Sequence, residues 1–224
     1  MANLDRWKQA QQHEIAFWKY TRQHGYGTLS WDQLIEKNGT EVLSLLSKIK
    51  PLPLFRDDIV IDLGCGPLGL SWYLDCKYAI GVDPLLAVYR NEFPHFDNKR
   101  TNLLWIAARG EEVPLPDGVA DVVYSRNVLD HVHQPEPWMN EFVRLLRPGG
   151  QFLLYVNLAE GWHKEGEDAV MHPHDFTEET MLKLLRAFPL TFDYYVDRPA
   201  GVTKPDKEVP IVVVGTRMKD GRAI

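Results

Sequence analysis

The residues best placed to do chemistry lie in IDLGCGPLGL, residues 61–70, where Gly64-Cys65-Gly66-Pro67-Leu68-Gly69 fits the spacing G-x-G-x-x-G. Glycines so spaced allow a tight turn and bring the backbone close to a ligand, most often a dinucleotide pyrophosphate at a helix N-terminus. Two neighbours argue against a phosphate here. Asp62 precedes the turn and would meet it as a like charge, and Pro67 lacks the N–H that a phosphate seeks at a helix start. A ligand with a cationic or zwitterionic end suits Asp62 better. A second carboxylate, Asp83, ends the run YAIGVD. Either aspartate alone fits an ordinary turn or cap, but a pair at the ends of successive strands points to a ligand. Gly64 and Gly66 suit the turn with or without one. Cys65 has no evident activating neighbour and reads as a small core-facing residue, not a nucleophile.

The histidines form the second group. His131 and His133 follow the run VADVVYS, and His163, His172 and His174 fall in GWHKEGEDAVMHPHDF with Asp168 and Asp175. The spacings match no zinc signature, so no metal is assigned. Segments leaving the carboxyl ends of strands suit substrate binding instead.

Both groups need a scaffold, and the pattern supplies one. Residues 4–23 carry Leu4, Trp7, Ile15, Phe17, Trp18 and Tyr20 in one broad apolar stripe, which predicts a helix. Ser30-Trp31-Asp32-Gln33 has the form of a capping box for a second helix that Gly39 is expected to end. A third, TEVLSLLSKIK, leads to the break at Pro51 and Pro53. Then strands and helices alternate: DIVIDLG, a helix over PLGLSWYLD, YAIGVD, a helix over LLAVYRNEF, NLLWIAA, VADVVYS, a helix over EPWMNEFVRLLR, and GQFLLYVNL. Doubly apolar strands alternating with helices predict a parallel sheet covered on both faces. After a helix over TEETMLKLLRAF, the runs LTFDYYVD and VPIVVVGTRM suit an antiparallel pair closing the sheet. The expected fold is therefore a three-layer α/β sheet, mostly parallel, with an N-terminal helical cap (1–50) on a ligand-binding domain (51–224).

Composition narrows the partners. The chain has 224 residues, a net charge of −6, 45% hydrophobic and 25% charged residues, and two cysteines, Cys65 and Cys76. These values predict a globular protein of a reducing, cytoplasmic setting, without a disulfide framework, signal peptide or membrane span. The charge argues against a large phosphate-binding surface.

In motif order, residues 57–157 resemble a class I S-adenosylmethionine-dependent methyltransferase. VIDLGCGPLG is similar to the family's first motif, IGVDP to its second, ARGEEVPLPDGVADVVYSRNVLDHV to the adenine segment with the fourth strand, and RLLRPGG to the turn before the fifth. The resemblance implies a Rossmann-like fold and S-adenosylmethionine as cofactor. It assigns cofactor contacts to Asp62, Gly64, Cys65, Gly66, Asp83, Pro84, Gly110, Glu111, Arg126 and Asn127, with Asp83 on the ribose hydroxyls. Many relatives carry an aspartate after the third strand; this chain has Arg109, so Gly110 and Glu111 take over that contact. Helices at the N-terminus frequently cover the cofactor in this family, which makes Trp7, Phe17 and Trp18 candidates for a lid as well as for helix packing.

The implied activity is methyl transfer to an oxygen or nitrogen of a small-molecule acceptor. For a protic acceptor, His131 is the preferred base, with His133, His172 and His174 behind it. Two alternatives stay open: a cofactor-binding protein without catalysis that regulates or assembles, and a dinucleotide oxidoreductase. A nucleic-acid substrate is disfavoured by charge and by Ser125-Arg126-Asn127-Val128, which replaces an Asn-Pro-Pro-Tyr type tetrad.

Overall fold

A computed structural model describes residues 2–47, 56–93, 96, 100–159, 166–197 and 209–219. Seven strands form one sheet: β1 (Ile59–Leu63), β2 (Tyr78–Val82), β3 (Leu103–Ile106), β4 (Ala120–Arg126), β5 (Leu146–Leu158), β6 (Leu190–Val196) and β7 (Val209–Arg217). Their order is β3-β2-β1-β4-β5-β7-β6. The first five run parallel, and β7 lies antiparallel between β5 and β6. The helices are α1 (Ala2–His24), α2 (Trp31–Leu46), α3 (Leu86–Glu92), α4 (Pro135–Leu145), α5 (Gly166–Met171) and α6 (Glu178–Arg186).

The doubly apolar strands explain the layers. Successive side chains point to opposite faces, so Val60, Val122, Leu153 and Val212 pack with Val42 and Leu46 of α2. Their neighbours Ile61, Val123, Leu154 and Val213 pack on the other face with Trp138 and Phe142 of α4 and Met181 and Leu185 of α6. Burial on both faces is what a parallel sheet between helices requires. No helix among the described residues is long and apolar enough to cross a membrane.

Three local expectations are corrected. Gly39 does not end a helix: α2 runs through it to Leu46, with the Ser30 capping box formed as read. A Cβ on Gly39 would stand 2.6 Å from the Tyr73 ring, and the Tyr73 hydroxyl donates to the Ile35 carbonyl at 3.0 Å. The glycine serves close packing, and that contact outweighs its poor helix propensity of about 1 kcal/mol. The segment 67–75 forms only a 3-10 turn at Leu70–Trp72. Asp62 accepts the Leu70 N–H at 2.5 Å, and Arg100 donates to the carbonyls of Trp72 and Leu74, so side chains from outside the segment satisfy its backbone on both sides of the turn. Finally, the expected helix end at Arg147 belongs to β5, which starts at Leu146; the histidine-bearing segment after β5 carries α5.

The expected breaks at Pro51 and Pro53, the end of the third predicted helix and His163 lie outside the described residues. The boundary at residue 50 does too; α1 lies over the carboxyl ends of the strands, whereas α2 packs on the sheet itself.

Candidate active site

Five parallel strands in the order β3-β2-β1-β4-β5 reverse direction of winding at β1 and β4, and ligands of such sheets bind at the carboxyl ends near that point. A cavity of about 560 Å³ lies there. The ends of β1, β2, β4 and β5 form its floor through Asp62, Gly64, Val82, Tyr124, Arg126, Tyr155 and Asn157. Helix α1 roofs it with Trp7, Gln11, Glu14, Phe17 and Trp18. Arg6 donates to the Ala169 carbonyl of α5 at 2.9 Å and Lys19 pairs with Glu92 of α3 at 2.8 Å, which fastens the roof at both ends. Trp7, Phe17 and Trp18 therefore both pack α1 and line the cavity.

At the β1–β2 end the glycine turn and the two aspartates are one unit. Gly64 and Gly66 adopt φ of +83° and +51°, the left-handed region that glycine enters without strain. A Cβ on Gly64 would collide with Val128 at 2.4 Å, so this glycine is structural as well; a Cβ on Gly66 would meet open space. Asp83 accepts from Gly66 N at 3.0 Å and Leu85 N at 2.8 Å. Both carboxylates are buried. Burial pushes Asp83 up to about 6, against the pull of its two amide donors. Burial, with a further push from Asp83, raises Asp62 to about 7, although the Leu70 and Ser71 amides and Arg126 oppose it. Two buried acids held this far up invite a cation or several hydrogen-bond donors, either of which restores the charged form. Burial also holds the Cys65 thiol well above its ordinary range, as a small cavity-wall residue and not a nucleophile. Pro84 lines the same end.

The remaining expected contacts also reach the cavity, each with a second job. Gly110 lets Trp138 come close, since a Cβ would stand 2.2 Å from its Nε1. Glu111 lines the wall, but its Oε1 already accepts from His133 N at 2.8 Å and Gln134 N at 3.1 Å, at the start of α4. Arg126 donates to Asn38 Oδ1 and Glu41 Oε2, both at 2.7 Å, and lies over the Tyr155 ring, so it ties α2 to the sheet end. Asn127, at φ +56°, accepts from Asn157 Nδ2 at 2.9 Å.

Another part of the lining carries the histidines. His131 and His172 both line the cavity, with ring centres 4.1 Å apart. His172 Nδ1 shares a hydrogen bond of 2.7 Å with Oδ2 of Asp130, which is fully buried. His131 Nε2 stands 3.9 Å from Asp130 Oδ1, and its Nδ1 stands 4.0 Å from Glu14 Oε2 on the roof. Glu14 is held in turn by the Trp18 indole N–H at 2.5 Å. His174 does not join them: its Nε2–H donates to the Val132 carbonyl at 2.9 Å, and it does not line the cavity. His133 sits outside as well, edge-on to Trp7. Sequence reasoning misses Asp130 and Glu14. The pairing of Asp130 with the next residue in VLDHV is a usable signal; Glu14 gives none, as one charge on a polar helix.

A family model described as a methyltransferase domain matches residues 61–154. The chain is 35% identical over 102 residues to a sarcosine/dimethylglycine N-methyltransferase of Halorhodospira halochloris, across 43% of this chain and 37% of that one. It is 28% identical over 130 residues to a malonyl-[acyl-carrier protein] O-methyltransferase of Hahella chejuensis, across 52% and 44%. The chain thus spans less than half the length of these relatives. Phosphoethanolamine N-methyltransferase 2 of Haemonchus contortus, solved with phosphomonomethylethanolamine and S-adenosylhomocysteine, has the same fold at a TM-score of 0.67. Its identity is 14%, and the match covers 92% of this chain and 57% of that one.

Proposed function

We propose that this chain is a class I S-adenosylmethionine-dependent methyltransferase, a reading that the methyltransferase-domain match over residues 61–154 supports, and that it methylates an oxygen or nitrogen of a small molecule held beneath α1. The observation that carries this reading is one cavity with two chemically different parts. Asp62, Asp83 and the glycine turn line one part, and His131 and His172, backed by the buried Asp130, line another.

When bound, the family's cofactor supplies a methyl group already activated on a sulfonium. The protein's task is therefore placement, exclusion of water and management of one proton. Asp83 suits a pair of ribose hydroxyls, because a buried carboxylate gains charge-assisted hydrogen bonds from each. Gly66 leaves the space in front of it open. Asp62 lends negative charge to the end that would take the cationic methionine part. The fastened roof α1 keeps bulk water from the reacting groups and limits the acceptor to a small molecule. In the histidine-lined part, the Asp130–His172–His131 cluster activates the acceptor's protic group. A dinucleotide fits less well, since the glycine turn leads into a three-residue 3-10 turn and not a helix whose N-terminus could hold pyrophosphate. Two buried, unpaired cysteines suit a reducing compartment, in keeping with a cytoplasmic protein.

The test is turnover of S-adenosylmethionine to S-adenosylhomocysteine with a metabolite extract, the acceptor being found by mass spectrometry. His131→Ala and His172→Ala should each lower turnover by about 100-fold or more, the usual scale of positioned acid–base help. Both should leave S-adenosylmethionine affinity by calorimetry nearly unchanged. Wild-type turnover in both variants would remove the cluster from the reaction. Tight cofactor binding without turnover on any acceptor would favour a binding protein.

A further inference from the structure

We propose that Asp130, His131 and His172 bind one divalent cation of the zinc type, open to the acceptor side of the cavity. The proposal rests on the methyl-transfer reading of that cavity and gives its histidine-lined part a specific chemistry.

The three residues each offer a ligand atom, and those atoms lie within 4.8 Å of one another. Two imidazoles and a carboxylate are a donor set that suits zinc and its neighbours, and three protein ligands with an open position is the pattern of catalytic zinc sites. His131 Nε2 is buried and has no hydrogen-bond partner among the described residues. It faces Asp130 Oδ1 at 3.9 Å, too far for a hydrogen bond. Two donors on a tetrahedral ion with bonds of about 2.0 Å sit roughly 3.3 Å apart, so side-chain rotations on the order of 1 Å would bring the three ligand atoms onto one ion. The other nitrogen of the same ring points at Glu14 Oε2, 4.0 Å away. A carboxylate behind a ligating histidine is the usual second partner, which orients the ring and strengthens it as a donor. The His172–Asp130 bond holds two of the three ligands together beforehand.

The charges also balance. A divalent cation held by Asp130 and two neutral imidazoles keeps one positive charge, which an acceptor oxyanion bound to it would cancel. The cation would take the acceptor by a hydroxyl or phenol oxygen and lower its pKa, and the proton would leave to water. An oxygen lone pair then forms the bond to the methyl carbon. The carbon–sulfur bond breaks with its electron pair going to sulfur, leaving a methyl ether and a neutral thioether, with no change of redox state. An oxygen acceptor is thus favoured over nitrogen.

The test uses untagged full-length protein, stripped with chelator and titrated with Co²⁺ by visible absorption and with Zn²⁺ by calorimetry. One equivalent should bind, with bands typical of low coordination. Affinity should fall about 100-fold or more in His131→Ala and in His172→Gln, each removing one of three ligands. Circular dichroism and S-adenosylmethionine calorimetry should be unchanged in both variants. The proposal is overturned if the wild type binds either cation no more tightly than His131→Ala/His172→Ala does. Failure of S-adenosylmethionine to bind would sink the methyl-transfer reading by itself, since the titration is scored without it.

Discussion

Replacing Asp62 by asparagine separates the strain this carboxylate puts on the fold from its use. The amide keeps the shape and an oxygen for the Leu70 N–H, but not the charge. In the folded chain burial, reinforced by Asp83, lifts Asp62 from its ordinary 3.8 to about 7. Between those values the native state binds more protons than the unfolded one, so stability falls as pH rises and levels off above about 7. A single acid displaced this far lowers the stability of the wild type by about 2–3 kcal/mol on going from about pH 5 to about pH 8. Asp62→Asn lacks that slope, while the titration of Asp83 is largely common to both proteins. The assay is reversible urea unfolding without ligand at the two pH values. The expected result is a variant whose stability relative to wild type improves by about 2–3 kcal/mol at the higher pH. Its S-adenosylmethionine affinity at the higher pH should drop, because the charge facing the cationic end is gone. Parallel stability curves, differing by the same amount at both pH values, would refute the burial argument.

Asp83→Ala should weaken S-adenosylmethionine at least tenfold, about 1.4 kcal/mol, by calorimetry on a folded variant. In the wild type that affinity should rise as pH climbs through about 6, where buried Asp83 takes its charge. Gly66→Val puts a branched side chain into open cavity at a φ of +51°, so cofactor binding should be lost while circular dichroism stays native. Unfolding instead would make the turn purely structural. Gly39→Ala in mid-helix would ordinarily stabilise by about 0.5–1 kcal/mol. Here its Cβ meets the Tyr73 ring at 2.6 Å, and thermal melting should show a loss of about 1–3 kcal/mol.

Much of this molecule is legible without coordinates, because its signals are local or periodic. Apolar runs such as DIVIDLG and GQFLLYVNL are buried on both faces in a parallel sheet, and their β-branched residues need no partner to declare themselves. The Ser30 capping box is a contact over three residues and forms as read. Asp62, Gly64, Gly66 and Asp83 are similarly bound to strand ends that the pattern locates, and all line the cavity.

What the tertiary structure decided is where a distant group overrides local propensity. Gly39 continues a helix because Tyr73, from another segment, lies against it. Residues 67–75 form only a short 3-10 turn, and Asp62 and Arg100, from other segments, satisfy backbone groups on either side of it. His172 and His174 are two residues apart and equivalent by composition. Yet Asp130 binds the first beside His131, and the Val132 carbonyl turns the second out of the cavity. Those partners come from 42 positions away along the chain, and sequence spacing carries no record of them. The chemistry of the glycine turn is therefore written in the sequence. The choice between two histidines is made only when β4 and the segment after β5 meet at one edge of the sheet.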